Sequence, residues 1–148
     1  MTDTELMLLA IDEAKKAALE GEVPVGAVVA LEGRPIAFGR NKRENGKNAL
    51  YHAEIIAIDR ACKAKHGWRL SDCDIFVTME PCPMCAGAII NARFNRCVFG
   101  CFDEKAGAFG GLVDFNAMGF NHRPEIISGV LCEECRELLR DFFEKRRT

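Results

Sequence analysis

Glu80-Pro81-Cys82-Pro83-Met84-Cys85-Ala86-Gly87-Ala88 is the stretch that decides how this chain is read. It follows Asp74-Ile-Phe-Val-Thr-Met79, an apolar run of strand length, and Pro81 and Cys82 open a helix that continues to about Arg93. A strand delivered into a helix is one unit of a layered α/β fold. Ala86, Gly87 and Ala88 keep that helix slim enough for close packing. Two cysteines three apart at a helix start can present both sulfurs to one metal ion. Thiolate is a strong Zn²⁺ ligand, and structural zinc sites take four protein ligands. This CxxC has no second CxxC at zinc-ribbon spacing. It has Tyr51-His52-Ala53-Glu54, which puts a histidine thirty residues upstream of Cys82. Three protein ligands leave the fourth position open to water, the arrangement of a catalytic site. Glu54 is then free to move a proton of that water.

The rest of the chain suits one domain over residues 1–148, long enough for a real core, with 49% apolar residues. No linker, repeat or low-complexity tract divides it. A net charge of −2 excludes a protein that coats nucleic acid with a global basic field, while leaving room for a local patch. Basic residues gather at Arg40-Asn-Lys-Arg43 with Lys47, and at Lys145-Arg-Arg147. Taken alone, these read as a solvated loop and a frayed helix end. The N-terminus is acidic and the apolar run Leu6 to Ile11 is broken by Asp12, so neither a signal peptide nor a membrane span is expected. Eight cysteines then point to reduced thiols in the cytoplasm, used for metal or as small core residues.

In chain order, Thr2 to Glu20 reads as a helix with capping-box spacing between Thr2 and Glu5. Val25 to Leu31 and Arg34 to Gly39 form a hairpin about Glu32-Gly33. Gly26 lies inside its strand, where glycine admits a close neighbour, here taken to be substrate. Asn41 to Leu50 is a polar loop. Tyr51 to His66 is a helix with a wide apolar face of Ile55, Ile56 and Ile58, expected to be deeply buried. Arg96 to Cys101 is a strand, Phe102 to Arg123 irregular, Glu125 to Val130 the last strand and Cys132 to Arg146 the last helix. Helices separated by single strands need both faces of a sheet, so a three-layer α/β/α domain around a mixed five-stranded sheet is expected. His52 and the Cys82/Cys85 pair each fall in the first turn of a helix. Two helices following neighbouring strands would bring those turns to one spot, where helix N-termini favour thiolate and developing negative charge.

His-x-Glu followed by Pro-Cys-x-x-Cys is the signature of the zinc-dependent nucleobase deaminases. Within that superfamily the chain resembles the bacterial tRNA-specific adenosine deaminases over nearly its whole length. The resemblance is carried by Val23-Pro-Val-Gly-Ala-Val28, Asn41, His52-Ala-Glu-Ile55, Thr78 through Ala88, Val98-Phe-Gly100, Asp103-Glu-Lys-Ala-Gly-Ala108, Asn121-His-Arg123 and Phe142-Phe-Glu-Lys-Arg-Arg147. It implies the same cytidine-deaminase-like fold, one Zn²⁺ per subunit on His52, Cys82 and Cys85, and Glu54 as general acid and base rather than ligand. Activated water would attack C6 of adenine, with Glu54 moving protons to the ring and to the departing amino group. On the resemblance alone, Asn41 hydrogen-bonds the base and Val25, Pro81 and Met84 form the pocket wall. Asp103 and Lys105 belong to a loop that meets the RNA backbone, and Phe143, Arg146 and Arg147 to a terminal helix beside the anticodon loop. The implied partners are a tRNA anticodon stem-loop, whose wobble base is already partly unstacked, and a second copy in a homodimer.

Blander readings stand beside these. Cys132-Glu-Glu-Cys135 is also a CxxC at a helix start, but no His or third Cys lies near it in sequence, so it reads as a pair of ordinary thiols. Cys62, Cys73, Cys97 and Cys101 read as core fillers. His66 reads as a surface residue, His122 as either a structural hydrogen-bonding group or an RNA contact, and Trp68 as a loop anchor. Three functions compete: a tRNA wobble adenosine deaminase, a deaminase of a free purine base or nucleoside, and a non-catalytic zinc-stabilised binding subunit. Glu54 speaks against the third, because a structural site needs no proton carrier. For the second, Asn48-Ala49-Leu50-Tyr51 replaces the Asp-Pro-Thr-Ala common in the resembled family, and Phe102 and Phe109 add bulk at the same rim. For the first stand the Asp-x-Lys-x-Gly-Ala run and the basic ending.

Overall fold

Thr2 stops the extended N-terminus and starts the first helix. Its hydroxyl accepts from the Glu5 amide at 3.1 Å, and the Glu5 carboxylate accepts from the Thr2 amide at 3.0 Å. This is a computed structural model; it describes residues 1–147, and of Arg147 the backbone alone, so the RNA contact expected of the Arg147 side chain lies outside the described residues. The helix is α1, Asp3–Leu19, followed by β1 Gly26–Leu31, β2 Arg34–Arg40, α2 Ala53–Lys65, β3 Cys73–Met79, α3 Pro83–Asn91, β4 Arg96–Cys101, a 3₁₀ turn Phe115–Ala117, β5 Glu125–Ser128 and α4 Cys132–Arg147. The sheet order is β2-β1-β3-β4-β5. β1 is antiparallel to β2 and β3, while β3, β4 and β5 are parallel. This is the mixed five-stranded sheet that the alternating pattern predicts.

Strand side chains alternate between two faces, and here both faces are dry. Ala27, Val29, Ile75, Val77, Cys97 and Phe99 pack beneath α2 and α3. Val28, Ala30, Phe76 and Val98 meet Leu6, Met7, Ala10 and Ile11 of α1 and Cys135 of α4. The result is three layers with a core on each side of the sheet. Fully burying one such Val, Leu, Ile or Phe side chain contributes about 1.5–3 kcal/mol.

Two glycines set how closely the layers approach. A Cβ on Gly26 would stand 2.0 Å from the Ala10 carbonyl oxygen and 2.6 Å from the Ala14 nitrogen. The close neighbour is therefore α1, not substrate. A Cβ on Gly39 would stand 2.2 Å from the Ala53 carbonyl oxygen and 2.7 Å from the Ala57 nitrogen. α2 lies so near β2 that only alanines fit between, and Ala53, Ala57 and Ala61 are fully buried there. Ile55, Ile56 and Ile58, the expected core face of this helix, are only half-buried.

β2 and β3 are not neighbours, as β1 lies between them. Both are antiparallel to β1, so they run the same way and deliver α2 and α3 at the same end of the sheet. The parallel step from β4 to β5 normally needs a helix. Here a loop makes it, and its Ala108 and Phe109 are buried in the core on the α2/α3 side. Phe109 therefore fills the core and adds nothing to the rim.

The remaining singled-out residues serve the frame. Cys73, Cys97, Cys101 and Cys135 are buried, Cys62 and Cys132 half-buried, and none is paired. His122 Nε2 lies 2.6 Å from the Phe94 carbonyl, a structural bond. Trp68 is 54% exposed, with the guanidinium groups of Arg69 and Arg93 at 4.7 and 5.9 Å from its ring. Arg40 is held by Glu13 and Glu20 and is not an open basic site. Among the described residues no helix is long and apolar enough to cross a membrane.

Candidate active site

His52 and Cys82 are the residues that cap α2 and α3, one position ahead of the first turn expected for them. The His52 side chain makes no capping bond to α2, which leaves its ring free to face the sulfurs carried by α3. Cys85 follows within the first turn of α3. His52 Nδ1 lies 3.6 Å from Cys82 Sγ and 3.6 Å from Cys85 Sγ. These three form a group able to hold a metal ion, and Glu54 stands outside it. Zn–S bonds of about 2.3 Å and a Zn–N bond of about 2.05 Å at the tetrahedral angle place sulfur and nitrogen about 3.55 Å apart. The donor set therefore fits zinc in spacing, and two thiolates with one imidazole fit it in softness.

The site's protons follow the same geometry. The Cys85 thiol, hydrogen-bonded to Cys82, lowers the Cys82 pKa to about 4, with His52 assisting. That same bond, together with burial, pushes Cys85 upward. His52 is raised, chiefly by its bond to Cys82. Glu54 is 4% exposed, and burial lifts its carboxyl to about 7. A carboxyl that can gain or lose a proton near neutrality suits proton transfer.

A cavity of about 260 Å³ opens onto this group. Its floor is His52, Glu54 and Cys82, and its walls are Val23, Val25, Asn41, Arg43, Met79, Glu80, Asp103, Ala106, Leu139 and Phe143. Asn41 is 8% exposed, and its Oδ1 is buried without a hydrogen-bond partner. Its Nδ2 donates to the Val23 carbonyl at 3.4 Å. A buried acceptor left unpaired costs about 1–3 kcal/mol, which a ligand N–H or O–H would recover.

The cavity brings together His52, Glu54, Cys82, Asn41, Val25, Asp103 and Phe143 from the sequence reading. It leaves out others. Met84 is half-buried and next to inward-facing Cys85, where one helical step of about 100° turns it off the wall. Pro81 is buried, and its carbonyl accepts from the Ala108 amide at 2.9 Å, so it holds a loop instead of lining the pocket. Lys105 is exposed and does not line the cavity, while Asp103 turns its carboxylate back onto the Lys105 and Ala106 amides. Arg146 donates to the Gly21 carbonyl and lies over Phe142, which ties down the end of α4. Asn48–Tyr51 does not line the cavity; the Tyr51 ring packs on Gly46.

Met79 and Glu80 could have been found from their place just ahead of the Pro-Cys step, and Leu139 from its i,i+4 spacing to Phe143. Glu22 gave no such signal. This 1% exposed carboxylate accepts the Glu44 amide at 3.1 Å, the Asn45 amide at 2.7 Å and Asn45 Nδ2 at 2.7 Å. It thereby anchors the loop that carries Asn41 and Arg43.

Residues 1–101 match the family model of the cytidine and deoxycytidylate deaminase zinc-binding region. A tRNA-specific adenosine deaminase of Bacillus subtilis (strain 168) is 49% identical over 149 residues, covering 99% of this chain and 92% of the relative. A solved structure from studies of A-to-I editing by tRNA:A34 deaminases is 40% identical, with a TM-score of 0.85 over 92% of this chain and 99% of that one. The guanine deaminase of Nitrosomonas europaea shares the fold, with a TM-score of 0.76 at 24% identity over 94% of this chain and 83% of that one. The chain belongs to the zinc-dependent cytidine and deoxycytidylate deaminase family and, within it, to the tRNA-specific adenosine deaminases.

Proposed function

We propose that this protein, a single domain over residues 1–148, converts adenosine to inosine at the wobble position of a tRNA anticodon, in the cytoplasm and as a homodimer. The observation that carries the chemistry is one cavity lined by His52 and Cys82 of the metal-ligand group, by the buried Glu54 and by Asn41, whose buried Oδ1 is unpaired. When bound, zinc supplies Lewis-acid activation of water. Asn41 Oδ1 gives the incoming base an acceptor and fixes its orientation. Glu54 takes one proton from the attacking water and passes it to ring N1. It then carries the second proton to the amino group on C6, which leaves as ammonia while the water oxygen stays on C6. Positive helix N-termini at the floor suit the negative charge that builds during attack.

The walls support a polynucleotide over a free base. Arg43 and the 45% exposed Phe143 ring stand at the cavity, where a phosphate and a neighbouring base can lie. The near full-length likeness to tRNA-acting relatives supports the same choice. A groove along α3, formed by Gly87, Ala88 and Ile90 with Phe115 and the exposed Phe120, supports a second copy as partner. The eight free cysteines support a reducing compartment. Inosine formation by the zinc-loaded protein tests the reading. One arm uses an anticodon stem-loop with adenosine at the wobble position, and the other free adenosine, adenine, guanine and guanosine. Turnover of the stem-loop is expected; turnover of a free base or nucleoside with an inert stem-loop would replace the reading with a small-purine deaminase.

A further inference from the structure

Glu80 has no part in that chemistry, yet it lines the cavity, two residues before Cys82, and is only 4% exposed. It accepts three backbone hydrogen bonds from one distant loop. The Asp103 amide donates to Oε1, and the Phe109 and Gly111 amides donate to Oε2, each at 2.8 Å. Asp103 and Ala106 of that loop border the cavity, with exposed Lys105 between them in sequence. The fit leaves no slack, since a Cβ on Gly107 would stand 2.1 Å from the Glu80 carboxyl carbon.

We propose that Glu80 is a positioning residue for the reaction. It locks the Asp103–Gly111 wall in register with the segment that carries Cys82, and so sets how substrate meets the cavity, acting on binding and not on the chemical step. The proposal rests on the functional reading above. A glutamine keeps the shape but supplies one acceptor oxygen instead of two. With its oxygen at the Oε2 position it keeps Phe109 and Gly111, and its NH₂ then opposes the Asp103 amide, donor against donor. Glu80→Gln should therefore free the Asp103 end of the wall and spare the rest.

The test compares wild type and Glu80→Gln as zinc-loaded full-length chains. It uses the wobble-adenosine stem-loop and free guanine as substrates, with zinc content and amide hydrogen exchange measured alongside. The expected result is unchanged zinc, kcat within about two-fold, KM raised about ten-fold, and faster exchange confined to residues 103–106. Gly107→Ala presses on the same carboxyl with Glu80 intact. It should raise KM as well, and the double variant should be no worse than the poorer single one. Unchanged KM and exchange would overturn the proposal, as would a fall in kcat that tracks lost zinc or lost folded protein. Should wild type turn over guanine and leave the stem-loop untouched, the tRNA reading falls. Glu80 is then judged by the same KM and exchange criteria on guanine.

Discussion

The floor and the rim of the cavity are built by opposite means. At the floor, His52, Glu54 and Cys82, with Cys85 completing the metal-ligand group, sit at the starts of two helices that the sheet delivers to one end. Their identities are dictated by chemistry, so they come as short, legible motifs. At the rim, loops carry Asn41 and Arg43 on one side and Asp103 and Ala106 on the other. Each loop is tied by one buried carboxylate, Glu22 or Glu80, through three hydrogen bonds. The difference implies a division of labour, in which the floor sets the rate of deamination and the rim sets which substrate arrives and how well.

The largest expected effect comes from the floor. Glu54→Gln should lower kcat by about 10²–10⁴-fold, the usual worth of a general acid and base, while zinc analysis finds the metal still bound. Asn41→Ala lies between floor and rim. Removing its acceptor should cost about ten- to a hundred-fold in kcat/KM, measured on the stem-loop. Glu22→Gln belongs to the rim and should raise KM about ten-fold with kcat nearly unchanged. A parallel fall in kcat would blur the division.

The smallest effect is a control away from the cavity. Arg96 bonds both oxygens of Asp3 at 2.9 and 3.0 Å and holds that carboxyl below the usual carboxylate range. Its folded pKa is therefore lower than the unfolded value of about 3.9. The stability it contributes is complete above that value and is lost as pH falls through the folded pKa. Asp3 is half-buried, with 36% of its side chain still open to solvent screening, so Asp3→Asn should cost only about 0.5–1 kcal/mol at pH 7, with both proteins equal in stability at strongly acid pH and kcat and KM unmoved. Denaturant titrations at the two pH values check this.

The same division explains what the sequence could reveal. The element order and the metal-ligand spacing were legible because a metal accepts few residue types and helices and strands have fixed periods. The hydrogen bonds of the carboxylates at the rim were not, because their partners lie 22 to 31 residues away and, Asn45 Nδ2 apart, are backbone amides with no residue signature. Gly26 misled for a related reason. A glycine signals close approach without saying what approaches, and here it is α1. The isoleucines of α2 misled because hydrophobicity ranks them above alanine, while the Gly39 contact leaves space only for alanine. Phe109 looked like rim bulk because its loop has no periodicity, and tertiary packing alone buries it.

The most direct test is deamination of the stem-loop at saturating concentration by zinc-loaded wild type, Glu54→Gln and Glu22→Gln, with metal content measured in each sample. Glu22→Gln is expected to recover nearly the wild-type rate at saturation, whereas Glu54→Gln stays slow with its zinc in place. A rim deficit that persists at saturation, or a Glu54→Gln protein that turns over at the wild-type rate, would contradict this division of labour.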